Sequence, residues 1–328
     1  MSSPAPLIDI SQNPVPDGGE AFWFDGFDGG RLRGAVWPAT ADTPEGTVVL
    51  LSGRTEFIEK YFETVTMLRE RGFAVATLDW RGQGMSVRET DNPLRGHADR
   101  FSDFDRDFAL FLKQVAARNL PAPLIGLAHS MGGHIALRWL YLADTRAAIA
   151  QGLPRIGRMV LSAPMVDLAI SARAMLAMRL LSFIGIAVGL GKRYLPGGSD
   201  DKATGSDPFE GNLVTSDPQR FARQNAIVAA KPDLRLATPT LGWGGAAIES
   251  MDFLQSDQCT DAITTPVLFA GASRDGLIRP RDVEAYAKRL ANGRYILCEG
   301  AKHEILMERD DIQKPFWEAF DAFVGVDR

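Results

Sequence analysis

The stretch PLIGLAHSMGGHIALRWLYL, residues 123–142, decides the fold. A continuous apolar run, LIGLA, leads to Ser130, and a helix-forming run, HIALRWLYL, follows it. Continuous apolar runs mark strands buried on both faces, and a helix behind such a strand is how a parallel sheet returns its chain. The serine therefore falls at the carboxyl end of a strand, where open α/β sheets bind ligands. Small residues stand on either side of it: Ala128 on the strand side, Gly132 and Gly133 on the helix side. A strained strand-to-helix turn requires this, because the helix passes close to the strand. Alanine occupies the place of the first glycine of a G-x-S-x-G pattern, and its methyl group is tolerated if residue 128 keeps strand dihedrals, since only positive φ penalises alanine heavily. On these residues alone, Ser130 reads either as a nucleophile or as a helix N-cap serine.

Working outward, AFWFDGF and RLRGAVWPA flank Asp28, Gly29 and Gly30 and predict a β-hairpin. GTVVLLSG is a strand, followed by helical spacing of Phe57, Ile58, Tyr61, Phe62, Val65 and Leu68 up to Gly72. FAVATLDW is a second strand, and Phe101, Phe104, Phe108, Leu112 and Val115 mark an amphipathic helix ending before Pro121. RMVLSAP, TPVLFAGAS and GRYILCEGA are three further buried strands, the last two separated by a helix from about residue 281 to 290. This alternation predicts an α/β protein, with a mostly parallel central sheet covered by helices on both faces. Between Pro164 and Thr265 the rhythm breaks: helical spacing of Ala, Leu and Met gives way to LPGGSDDKATGSDPFEGN, then to DPQRFARQNAIVAA and LGWGGAAIESM. We expect a core of residues 1–165 and 263–328, carrying a helical insertion at 166–262.

Composition narrows the function. The 328-residue chain is 45% hydrophobic and 23% charged with a net charge of -5, as in an ordinary globular protein. It has no basic cluster with interleaved aromatics, so nucleic acid is not an expected partner. Cys259 and Cys298 stand far apart, without the spacing of a zinc or redox site. The first residues lack a basic segment followed by an apolar one, which sets a cytoplasmic expectation. The most apolar segment, residues 180–191, is shorter than the roughly 20 residues that span a bilayer.

A serine nucleophile needs a base, and the chain has four histidines. His129 and His134 lie too close in sequence to Ser130 to bridge it, and His97, in RGHADRF, suits a loop hydrogen bond. His303, in EGAKHEILME, follows a strand and would present its imidazole at the sheet edge that carries Ser130. Such an imidazole must be held in one tautomer by an acceptor. Asp275, in GASRDGLI just after TPVLFAG, can supply it, with Asp167 after RMVLSAP as the alternative. The order Ser, Asp, His, each at a strand end, is that of the α/β-hydrolases.

LLSGRTEFIEKY, LDWRGQGMS, GLAHSMGGHIAL, GASRDGLI and GAKHEILME together resemble the α/β-hydrolases of the lysophospholipase and monoacylglycerol lipase group, also classed as serine aminopeptidase-like. The resemblance implies Ser130 as nucleophile, Asp275 as acid and His303 as base. It implies an oxyanion hole made by the backbone N–H groups of Met131 and Arg54, the latter following Ser52-Gly53 where the family has a His-Gly pair. The Arg54 side chain would pair with Glu56 or another local acid, or with a phosphate or carboxylate of a substrate. Asp79, Arg81, Gly82 and Gly84 would brace a loop. The insertion would be a cap (lid), with Trp243, Phe209, Phe221 and Met251 lining the pocket or filling the cap's own core. Residues 180–190 would be a buried cap helix or a place of transient membrane-surface contact. A small-molecule or lipid carboxylic ester is the implied substrate, with neither metal nor organic cofactor required. An aminopeptidase reading would draw on Glu210, Asp217, Glu249 and Asp252 to hold a free amino terminus. A non-catalytic binding module on the same fold is the alternative of another class.

Overall fold

The computed structural model describes residues 3–205 and 208–326. Ser206 and Asp207 of the Gly, Asp and Pro-rich stretch lie outside the described residues, as do the first two and last two of the chain. The hairpin forms as predicted, from β2 (Glu20–Asp25) and β3 (Arg31–Trp37), with the short β1 (Ser3–Pro4) added at its outer edge. β3 runs antiparallel to β5 (Phe73–Leu78), and every later pairing is parallel. With β4 (Gly46–Leu51), β6 (Leu124–His129), β7 (Ile156–Ser162), β8 (Val267–Ala272) and β9 (Gly293–Cys298), the strand order is β1-β2-β3-β5-β4-β6-β7-β8-β9.

Except at β9, where Arg294 and Leu297 are exposed and Tyr295 and Ile296 only half-buried because it is the last strand of the sheet, the continuous apolar runs have the expected cause. Along β4, Val49 and Leu51 face one core while Val48 and Leu50 face the other, and Phe269 and Leu268 of β8 divide in the same way. One core is closed by α2 (Phe101–Ala117), α3 (Ser130–Asp144) and α8 (Pro280–Ala287), the other by α1 (Phe62–Glu70) and α9 (Asp310–Val324). The chain passes from β4 outward to β5, then returns to β6 on the opposite side of β4. The carboxyl ends of β4 and β6 thus flank a topological switch point, where such sheets open a crevice.

No strand lies among the described residues between β7 and β8. The segment holds α4 (Ala172–Ala187), α5 (Pro218–Ala230), α6 (Leu241–Leu254) and α7 (Asp257–Ala262). The expectation of a buried helix within residues 180–190 is not met. α4 packs on α6 along one narrow side, where Ser182 and Gly185 are buried and a Cβ on Gly185 would fall 2.6 Å from Leu241 Cδ1. Its other faces carry Leu176, Leu180, Leu181, Phe183, Ile184 and Ile186 in solvent, Phe183 being 72% exposed. A helix that is apolar all round needs cover on every side, and α6 supplies one. No helix among the described residues is long and apolar enough to cross a membrane.

Candidate active site

Ser130 opens α3 with φ +50°, a left-handed conformation that costs a non-glycine residue roughly 1–2 kcal/mol. Packing enforces it. A Cβ on Gly132 would fall 2.5 Å from the Ser52 carbonyl oxygen, and one on Gly133 would fall 2.8 Å from Pro164 Cβ. Glycine is needed on the helix side because main chain passes there. Ala128 stays within β6, fully buried, and pairs with Leu51 and Leu161. Nor is Ser130 an N-cap: His129 holds that position, and the Ser130 hydroxyl meets His303 Nε2 at 2.9 Å.

His303 lies beyond β9, and Asp275 just beyond β8. His303 Nδ1 is 2.7 Å from Asp275 Oδ2, while Asp275 Oδ1 accepts the N–H groups of Leu277 and Ile278 at 2.7 and 2.9 Å. A carboxylate only accepts, so Nδ1 carries the ring proton and Nε2 is left to accept from Ser130. Asp167, the alternative acid, instead pairs with Arg279 at 3.1 Å. The inserted segment helps to hold the loop that carries His303: Glu304 N–H donates to the Val214 carbonyl at 2.8 Å.

The remaining histidines bond away from Ser130. Nδ1–H of His129 donates to the Ser162 carbonyl, and that of His134 to the Met165 carbonyl. Burial pushes His129 down to about 4 and His134 to about 3, so both are neutral at pH 7. His97 contacts Thr240 Oγ1 at 2.7 Å and Asp99 at 3.1 Å, the loop bonding its sequence suggests.

The loop after β4 runs directly beside the serine, since a Cβ on Gly53 would fall 3.2 Å from Ser130 Cβ. Arg54 and Met131 both line the cavity that holds Ser130 and His303. The Met131 N–H belongs to the first turn of α3 and has no intrahelical acceptor. Gln83, which the sequence reading did not single out, braces this loop. It donates to the Gly53 and Glu56 carbonyls and accepts from Thr55 N–H. Asp79 and Arg81 of the same DWRGQG segment do brace, through Arg33 in one case and Asp28, Glu89 and Asp107 in the other.

Arg54 makes no ion pair with Glu56. The Glu56 carboxylate accepts from Gly53 N–H and from the Tyr61 hydroxyl, and its Oε1 faces Lys60 Nζ at 2.8 Å. Lys60 also bonds Glu304 at 2.6 Å, all three groups being buried or nearly so. Burial would raise the Glu56 carboxyl, but Lys60, His129 and Tyr61 outweigh it and hold the group down at about 2. At Glu304 burial outweighs Lys60, and its carboxyl is raised. Glu56, His129 and Glu304 bring their ligand atoms within 4.8 Å of one another. The Lys60 ammonium sits against both carboxylates, so this donor set is matched to an internal cation. The spacing of Glu56 and Lys60, four apart, is the one signal in the sequence for this cluster.

The cavity beside Ser130 measures about 350 Å³ and is walled by Met165, Leu168, Ile170, Met178, Trp243 and Leu277, among other apolar residues. Of the four aromatic and methionine candidates only Trp243 lines it. Phe209 packs on Phe221 with ring centroids 5.5 Å apart, and Met251 faces a separate cleft beside Arg179 and Asp252. None of Glu210, Asp217, Glu249 and Asp252 lines the cavity either. Asp217 caps α5 and Asp252 pairs with Arg179 at 2.6 Å.

The family model described as "Hydrolase_4: Serine aminopeptidase, S33" matches residues 42–310. Lysophospholipase L2 of Escherichia coli K12 is 31% identical over 277 residues, covering 80% of this chain and 75% of that protein. A monoacylglycerol lipase of Mycolicibacterium smegmatis is 28% identical, covering 87% and 90% of the two chains. Among solved structures, a highly thermostable carboxyl esterase from Bacillus coagulans, in complex with glycerol, superposes with a TM-score of 0.71. It covers 95% of this chain and 99% of its own at 18% identity, a likeness of fold.

Proposed function

The chain belongs to the Hydrolase_4 family of S33-type serine aminopeptidases, and from that membership we propose that it is a serine hydrolase of lipid-like carboxylic esters, acting through Ser130, His303 and Asp275. An ester-hydrolysing α/β-hydrolase is supported by the relatives named lysophospholipase and monoacylglycerol lipase. The observation that carries the finer reading is the continuous hydrogen-bonded line from Asp275 through His303 to Ser130, ending in an apolar cavity.

In this mechanism Ser130 Oγ attacks the ester carbonyl while its proton passes to His303 Nε2. The carbonyl oxygen becomes an oxyanion that accepts from the N–H groups of Arg54 and Met131, each donor worth on the order of 10²- to 10³-fold in rate. His303 then protonates the departing alcohol, leaving an acyl group on Ser130. Water, deprotonated by His303, attacks that acyl-enzyme, and the carboxylic acid leaves as Ser130 recovers its proton. Asp275 keeps the imidazole in the required tautomer and stabilises its charged form. Every step draws on the chain's own groups and water.

The inserted segment, residues 166–262, serves in this reading as the cap. Met178, Leu195 and Trp243 contribute its side of the acyl pocket, and the exposed apolar faces of α4 give it a surface for transient contact with lipid.

A panel of nitrophenyl, glycerol and lysophospholipid esters and aminoacyl amides, run with Ser130→Ala as control, tests the proposal. We expect ester hydrolysis that disappears in the variant, and fluorophosphonate labelling of the wild type at Ser130. Faster cleavage of aminoacyl amides than of any ester, or an unlabelled Ser130, would overturn it.

A further inference from the structure

Arginines held inside this protein mostly meet carboxylates: Arg33 meets Glu59 and Asp79, Arg138 meets Asp105, and Arg220 meets Glu63. Arg54 has no carboxylate within ion-pair distance among the described residues. Its Nη2 donates to the Ala237 carbonyl at 2.5 Å, and its Nε is sealed from solvent without an acceptor. Its Cζ lies 5.4 Å from the centre of the Trp243 ring, and Nη2 passes over Gly96, where a Cβ would fall 2.3 Å away. The titratable group that acts on it is the Tyr194 hydroxyl. Arg95 adds a second cation there, 5.6 Å from the Tyr194 ring, with its own Nε buried and without an acceptor, and the exposed Asp200 carboxylate on the far side accepts from the Tyr194 hydroxyl at 2.5 Å. Burial pushes Arg54 down, but only to about 10, so the guanidinium is charged at neutral pH.

A strut between the β4 loop and Ala237 would need only a neutral donor. Holding a half-buried cation with a sealed, unpaired Nε and no carboxylate within ion-pair distance costs stability, and the cost is recovered when an anion arrives. Arg54 lines the cavity of Ser130 and His303, whose other walls are largely apolar. Its backbone N–H is the proposed donor to the ester carbonyl, and its guanidinium lies at the end of a flexible methylene stem beyond it. In a 1-acyl glycerophosphodiester the phosphate stands a glycerol's length from the acyl ester, a comparable reach. A monoacylglycerol offers a neutral hydroxyl in that place, which cannot neutralise the cation. The planar guanidinium fork is suited to phosphate oxygens.

We propose that the Arg54 side chain recognises the phosphate of a glycerophosphodiester headgroup, making lysophospholipids the preferred substrates over neutral monoacylglycerols. This specificity role rests on the ester-hydrolase reading above. The test compares a 1-acyl-glycero-3-phosphoglycerol with the 1-monoacylglycerol of the same chain length, in the same neutral detergent micelles, for the wild type, R54Q and R54K. The wild type should prefer the phosphodiester, and the ratio of the two kcat/KM values should fall roughly ten- to a hundredfold in R54Q, the size of a charge-assisted hydrogen bond. The loss should enter through KM, and R54K should retain part of the preference. A wild type that favours the neutral ester, or an equal loss on both substrates that leaves the ratio unchanged in both variants, would overturn the proposal. A folded wild type that cleaves neither ester would instead fail the hydrolase reading, so the two failures are distinct.

Discussion

Replacing Lys60 with methionine removes the cation shared by two carboxylates while keeping most of the side chain's bulk. Lys60 Nζ lies 2.8 Å from Glu56 and 2.6 Å from Glu304, and its side chain is 3% exposed. Taking one partner from a buried ionic cluster costs about 3–5 kcal/mol, because the remaining charge is left uncompensated. At about 2.1 cal/mol/K per residue, unfolding 328 residues has an entropy near 0.7 kcal/mol/K, so the melting temperature should drop by about 4–7 °C. The deficit carries a pH signature. In the wild type Lys60 helps to hold Glu56 down at about 2. Without it that carboxyl rises, and the Glu304 carboxyl, which burial already raises against Lys60, rises further. A raised carboxyl contributes stability that is fully present below the unfolded pKa and is lost as pH rises through the folded one. The deficit of Lys60→Met should therefore be smaller at pH 5 than at pH 8. Glu56 also holds Gly53 N–H, next to the proposed Arg54 donor, so kcat on a soluble nitrophenyl ester should fall about tenfold or more, within the roughly 10²- to 10³-fold cost of losing a donor outright. Adding Glu304→Gln to the variant should restore part of the stability. Calorimetry at the two pH values and steady-state kinetics read all of this. A melting point within about one degree of wild type at pH 8, or a deficit that grows toward acid, would refute the reasoning.

Two other perturbations separate roles within the site and the inserted segment. Asp275→Asn should lower kcat by roughly 10⁴-fold, as a wrong histidine tautomer does in serine proteases, whereas Asp167→Asn should have a mild effect; a reversal of the two, read by ester kinetics, would exchange their roles. Phe183→Asp with Ile184→Asp, on the exposed faces of α4, should reduce cosedimentation with phospholipid vesicles and lower activity on vesicle-borne ester more than on a soluble one. An unchanged ratio would remove α4 from lipid contact.

The core strands are legible because burial on both faces leaves an unbroken apolar run bounded by turns, as in GTVVLLSG and TPVLFAGAS. Asp275 and His303 are legible for a related reason: once β8 and β9 are placed, the residues just past their carboxyl ends are few. The edge strand Ser3–Pro4 is too short for any period to show. Lys60 and Glu304 are 244 positions apart, and nothing local to either announces the other; Glu56 and Lys60 alone look like a surface helix pair. Arg54 was expected to find an acid nearby, yet Glu56, two residues on, turns inward to Lys60, Tyr61 and Gly53. The exposure of α4 escapes the sequence because apolar composition states what a helix would gain from cover, not whether the fold supplies it.

The sheet order has a consequence for biosynthesis. Ser130 and His303 are 173 residues apart, and they meet only after β7 and β8 have paired across the whole inserted segment and β9 has docked on β8. Such distant parallel pairings are slow to form, because loop closure precedes the contacts that reward it. A chain emerging from the ribosome would thus carry Ser130 long before it carries His303. On the proposed mechanism, reactivity toward esters or fluorophosphonates would arrive with the final strand, making the labelling rate of Ser130 a reporter of completed folding.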